Sequence, residues 1–163
     1  MPRISKNTEK AYRETVRLLN SLEDYEKRPP SSANAYHQER ITELLRLLES
    51  PHTFAPVIHI AGTKGKSSTA YVTSLFLSVR NADHNHRPVG LFLSPFCHEE
   101  TEQIRLNGEE IDRQTFCNTF KKVQSVFSKM KKGQPTKFEC ITAMAFLIFK
   151  EARTWVNVIE VGL

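Results

Sequence analysis

No run of apolar residues approaches the roughly 20 that a membrane-spanning helix needs, and Met1 to Asn20 carries no apolar signal-peptide core. The expectation is a cytoplasmic chain with no membrane partner. Cysteine is scarce: Cys97, Cys117 and Cys140 are odd in number and far apart. That excludes close Cys-x-x-Cys zinc pairs and fits reduced thiols packed as small apolar residues. There is no internal repeat, no low-complexity segment, no Gly-x-Ser-x-Gly elbow and no serine or cysteine triad. The net charge of +5 is spread along the chain instead of gathering in one block with interleaved aromatics. This argues against nucleic acid and for small anions such as nucleotides. His52, His84, His86 and His98 fall in loop-like segments, and His84-x-His86 has no third ligand nearby, so they read as surface residues. His59 lies inside an apolar strand and reads as a hydrogen-bonded core histidine.

What is present suits a water-soluble globular domain: 163 residues, 39% hydrophobic and 25% charged, enough to bury a core. One stretch organises the rest. Val57-Ile58-His59-Ile60 is a β-branched apolar run that breaks into Ala61-Gly62-Thr63-Lys64-Gly65-Lys66-Ser67-Ser68 and enters a helix. Gly62 and Gly65 allow a tight turn that aims successive N–H groups at one anion. The helix start adds its positive dipole end, and Lys66 adds a charge that reaches terminal phosphates. A hydroxyl at Ser67 or Ser68 can hold Mg²⁺. The common motif has a glycine five residues before Gly65, where Ile60 stands here, so the loop is a short form. A plain strand-to-helix turn is the alternative.

Along the chain, helices are expected over Thr8 to Leu22 and Asn34 to Glu49, the second with Ile41, Leu44, Leu45 and Leu48 in one stripe. Between them Asp24 to Pro30 is a charged, proline-ended loop, and Ser50-Pro51 ends the second helix. The helix after the phosphate loop carries Tyr71, Leu75 and Val79 on one side and closes near Asn81. Val89 to Leu93 reads as a buried strand, which completes a βαβ unit and favours a parallel sheet. Ile104 to Ile111 alternates around Asn107-Gly108, a hairpin signal. Phe116, Phe120, Val123, Phe127 and Met130 predict one long amphipathic helix ended by Lys131-Lys132-Gly133. Thr136 and Glu139 form a capping-box pair that opens another helix, and Trp155 to Val161 returns as a strand. The order implies an α/β fold: a P-loop-containing, doubly wound, mostly parallel sheet. Because the sequence stops on an apolar strand at Gly162-Leu163, a truncated C-terminus is expected.

In such sheets ligands bind at the carboxyl ends of the strands. The phosphate loop after Ile60, Ser94 after Leu93, and Glu160 all stand there on this reading. Glu160 sits between apolar neighbours, where an unpaired carboxylate is costly to bury, so a cation beside it is expected. A strand-end residue facing water is the alternative.

These residues resemble the folylpolyglutamate synthase and dihydrofolate synthase family, a branch of the Mur ligase superfamily. The resemblance runs from about Leu18 to Leu163. It rests on His59 to Lys66, on Ser94-Pro95 followed by Glu102 to Gly108, and on Val158-Ile159-Glu160-Val161-Gly162. Asp24-Tyr25-Glu26 is similar to the family's N-terminal loop. The resemblance implies that residues 1–55 are an N-terminal helical segment and 56–163 an incomplete ATP-binding P-loop domain of the Mur ligase central type. It implies ATP on Gly62, Thr63, Lys64, Gly65, Lys66, Ser67 and Ser68; Mg²⁺ on Ser68, Ser94 and Glu160; and catalytic roles for Lys66 and Glu160. The family pattern has Gly-Ser after the lysine where this chain has Ser67-Ser68, so either hydroxyl can take the metal role, with Ser68 favoured by alignment. Phe96-Cys97 stands where the family has His-Leu, and Glu102-Gln103 where it has Glu-Arg. The implied activity is an ATP-dependent amide ligase that joins L-glutamate to folate or dihydropteroate through an acyl phosphate, monomeric at full length. The family's glutamate-binding C-terminal domain lies beyond Leu163, so inactivity of this stretch alone is expected. The alternative is a non-catalytic nucleotide-binding fragment or a split-gene half that needs a partner.

Overall fold

The computed structural model describes residues 6–24, 38–80, 84–95 and 97–160. Its elements are helices α1 (Lys6–Leu19), α2 (Gln38–Leu47), α3 (Lys66–Val79), α4 (Arg113–Gln124) and α5 (Lys137–Glu151), and strands β1 (Val57–Ile60), β2 (Val89–Phe92), β3 (Ile104–Leu106), β4 (Glu109–Glu110) and β5 (Val156–Glu160). Expectations that rest on Asn34 to His37, Tyr25 to Pro30, Asn81, Phe96 and Val161 to Leu163 lie outside the described residues. The chain forms two compact units, one of residues 1–50 and 113–144, the other of 51–112 and 145–163. An N-terminal segment ending at residue 55 is thus not a unit by itself, because α4 and the first half of α5 join it.

The second unit is built on a five-stranded sheet in the order β1-β5-β2-β3-β4. Strands β1, β5 and β2 are parallel, with Ile60 opposite Glu160 and Phe92 opposite Ile159, while β3 and β4 add as an antiparallel hairpin. Asn107 and Gly108, both at positive φ, make its turn. Side chains alternate across the sheet. Val89, Leu91, Val156 and Val158 therefore face one side, where Ala70 of α3 packs with Ile58, Ile60, Leu77 and Leu93. The opposite side carries Gly90 and Asn157 and is approached by α5. A Cβ on Gly90 would fall 2.4 Å from Asn157 Oδ1 and 2.7 Å from the Phe149 ring, so only glycine lets that helix in so closely.

On α3 the side with Tyr71, Leu75 and Val79 is exposed, and Ala70 and Ser74 are buried, because small residues allow the helix to lie close on the sheet. Two expectations are corrected here. His59 is exposed, since β1 is an edge strand. The long helix predicted from Phe116 to Met130 stops at Gln124, and Phe127–Lys129 is a 3-10 turn. The Ser125 hydroxyl bonds the Lys122 carbonyl at 2.7 Å, and the Val126, Lys129 and Met130 amides bond three residues back, so the backbone tightens there.

In the first unit α1 packs on α4, with Tyr12 edge-on to Phe116 at 5.8 Å. The capping box forms as expected: Thr136 N donates to Glu139 Oε2 at 2.7 Å and Glu139 N to Thr136 Oγ1 at 3.2 Å. The same carboxylate accepts from Arg40 Nε at 2.6 Å in a largely buried ion pair.

Candidate functional site

The site follows from two periodicities. Alternation along β5 puts Glu160 on the same side as Val156 and Val158, the side that α3 covers. Helix α3 opens directly after the loop that leaves β1, so its first residues stand over the carboxyl end of β5. There the Ser67 hydroxyl donates to Glu160 Oε1 at 3.0 Å, and the Ser94 backbone N–H, just past β2, donates to Glu160 Oε2 at 3.2 Å. Glu160 is only 2% exposed, and among the described residues no cation pairs with it. A buried carboxylate with neutral donors alone is under-compensated.

Gly62 and Gly65 adopt φ of 153° and 74°, a region that favours glycine, and Gly65 caps α3 without any side-chain hydrogen bond. The first amides of α3 thus point out of the helix start without a side-chain cap among the described residues. Thr63, Lys64 and Ser68 are exposed and Lys66 is half-buried, at the helix's first position. Of the loop hydroxyls it is Ser67, not Ser68, that the structure brings to Glu160. The signal was available in sequence, since Ser67 follows Lys66 directly, as the hydroxyl residue does in the common P-loop.

Among the described residues no group of three or more His, Cys, Asp or Glu gathers. Hydroxyl and carboxylate oxygens beside a glycine-containing loop at a helix start are the donor set of a hard cation such as Mg²⁺, not of a soft metal. The residues present therefore fit Mg²⁺ with a nucleotide.

Next to this site runs the segment that links Ser94 to β3. Glu102 holds it, accepting from the backbone N–H of Cys97 at 2.8 Å and from those of His98 and Glu99 at 3.1 Å each. These amides, Cys97 foremost, hold the Glu102 carboxyl below the usual carboxylate range. Spacing gave no hint of this clamp, because it depends on three successive N–H groups turning toward one side chain.

No family model matches the sequence. Individual proteins do. The Mycobacterium tuberculosis dihydrofolate synthase/folylpolyglutamate synthase is 34% identical over 134 residues, 76% of this chain and 26% of its own length. The crystal structure of Thermotoga maritima folylpolyglutamate synthase superposes with a TM-score of 0.80 at 34% identity, covering 95% of this chain and 34% of that one. Over most of its length the chain is similar to proteins of the folylpolyglutamate synthase/dihydrofolate synthase family. Its fold is the α/β, Mur ligase fold of these enzymes. The M. tuberculosis folylpolyglutamate synthase complexed with ADP matches at a TM-score of 0.77 and 30% identity, over 96% of this chain and 33% of that one. The chain thus spans about a quarter to a third of the length of these relatives.

Proposed function

We propose that this chain is the nucleotide-binding part of an ATP-dependent ligase that joins L-glutamate to a folate or dihydropteroate acceptor. The observation that carries the proposal is the buried Glu160 carboxylate, met by the Ser67 hydroxyl at 3.0 Å and the Ser94 amide at 3.2 Å beneath an open glycine loop. The amides from Gly62 to Ser68 and the start of α3 cradle the phosphates, and Lys66 adds its charge. Ser67, Ser94 and Glu160 would hold Mg²⁺, which when bound would neutralise phosphate charge as a Lewis acid. Until then the Ser67 hydroxyl keeps the carboxylate aimed at the loop. The ADP-bound relative supports the nucleotide, and the names of the relatives support the acceptor and glutamate. The chain's share of those relatives favours a division of labour: this part holds the nucleotide, and turnover needs the rest.

The test is titration with Mg-ATP or Mg-ADP. Lys66→Ala removes a charge-assisted contact of roughly 1.5–3 kcal/mol, so affinity falls about ten- to a hundredfold. Equal binding by the variant would refute the loop assignment.

A further inference from the structure

Arg105 lies on β3 opposite Leu91 of β2, so alternation puts its side chain on the side of the sheet that α3 covers. There it makes more than a cross-strand ion pair. Its Nη2 donates to Glu110 Oε1 at 2.7 Å, its Nη1 to the Gly108 carbonyl at 3.0 Å and its Nε to the Glu102 carbonyl at 3.2 Å, while the guanidinium carbon stands 5.8 Å from the centre of the Tyr71 ring. Three acceptors and a ring around one planar fork require arginine. A lysine keeps the charge and loses the fork. The pair with the half-exposed Glu110 contributes little by itself, so the reason for this arginine lies in its other contacts.

Those contacts lead to both arms of the Glu160 site. Ser67, Tyr71 and Leu75 recur at steps of four and share one side of α3. The hairpin meets that side at two points a turn apart: Arg105 at the Tyr71 ring, and the Gly108 turn at Leu75, where a Cβ on Gly108 would fall 3.0 Å from Leu75 Cδ2. One turn nearer the helix start, the Ser67 hydroxyl meets Glu160. In the other arm the Nε bond fixes the Glu102 backbone, and the Glu102 carboxylate holds the Cys97, His98 and Glu99 amides of the segment that follows Ser94. All of these residues belong to one compact unit.

We propose that Arg105 is a positioning residue: it fixes the rotation of α3 and the course of the segment after Ser94 together, and so sets where Ser67 and Ser94 stand about Glu160. It acts through Tyr71 and Glu102. That Ser67, Ser94 and Glu160 hold a cation beside a nucleotide rests on the functional reading above, whereas the tie between the two arms does not.

The tie is read first without nucleotide, which keeps its failure apart from failure of the nucleotide assignment. In the 163-residue chain, Arg105→Lys should speed amide exchange, corrected for intrinsic rates, both at 69–75 and at 97–99. Tyr71→Leu, which removes only the ring contact, should speed it at 69–75 and leave 97–99 as it was. With ADP, the factor by which Mg²⁺ tightens binding should fall about three- to tenfold in Arg105→Lys, while affinity without Mg²⁺ stays at the parent value. That split marks a loss of cation placement, since general loosening would weaken both. Thr136→Ala, which removes a cap in the other unit, should alter neither. Exchange that is unchanged in Arg105→Lys, or faster only at 104–110, would overturn the proposal, and so would an unaltered Mg²⁺ factor. A parent chain whose ADP binding gains nothing from Mg²⁺ would instead refute the cation assignment, and the exchange pattern would still decide on Arg105.

Discussion

A serine hydroxyl is a weak donor, and its position decides what it can do. Ser67 and Ser68 are adjacent on α3, so about 100° of helix turn separates their side chains. Both are exposed, and it is Ser67 that meets Glu160. Ser67→Ala should therefore remove one oxygen from the proposed cation set and one donor from a buried carboxylate. A loss of roughly tenfold in Mg²⁺-dependent nucleotide affinity is expected, against little change for Ser68→Ala. Isothermal titration with and without Mg²⁺ separates them. If Ser68→Ala gives the larger loss, the order preferred by alignment is right and the Ser67 hydrogen bond is incidental.

At the scale of single elements, one carboxylate opens α5. Glu139 caps the Thr136 amide and pairs with Arg40 from α2, both largely out of water. Removing only the cap with Thr136→Ala should cost about 1 kcal/mol. Glu139→Ala also takes this carboxylate from a buried arginine, and a cost of about 3–5 kcal/mol is expected. Denaturant unfolding of the two variants should show that gap, and equal losses would mean that Arg40 contributes nothing to this end of the helix.

The Glu102 clamp gives a pH dependence with a definite sign. Because the Cys97, His98 and Glu99 amides lower its titration in the fold, the clamp stabilises the segment fully above the ordinary carboxylate range. It is lost as pH falls through the lower folded value. Amide exchange at 97–99, corrected for intrinsic rates, should thus lose protection between about pH 5 and 3. Glu102→Gln should show the loosened state already at neutral pH, and protection that is indifferent to acid would remove the clamp.

For the whole molecule the deciding fact is coverage. The chain matches 34% of the T. maritima enzyme's length and 26% of the M. tuberculosis one. On the proposed reading it supplies a phosphate loop and two further groups that suit a metal, but a ligase must also hold glutamate against its acceptor. Positioning of reactants can be worth about 7–11 kcal/mol of barrier, so a chain that holds one reactant alone should show no measurable turnover. Purified chain with ATP, Mg²⁺, labelled glutamate and either dihydropteroate or tetrahydrofolate should give no glutamylated product. Multiple turnovers by this chain alone would show that the proposed division of labour is wrong.

The sequence by itself determined the local grammar: the strand-glycine-lysine-serine-helix order, the Asn107-Gly108 hairpin, the Thr136 and Glu139 box, and Glu160 marked by its apolar neighbours. Each is written within a few residues, where backbone sterics and side-chain period act directly. What only the tertiary structure decided depends on residues far apart in the chain. Which serine reaches Glu160 depends on how α3 is rotated over β5. That His59 is exposed depends on β1 being an edge. Hydrophobicity does not say which side of α3 lies on the sheet, because it marks apolar residues, not contact. Ala70 and Ser74 make the contact because they are small, and size matters only once a sheet is there to press against.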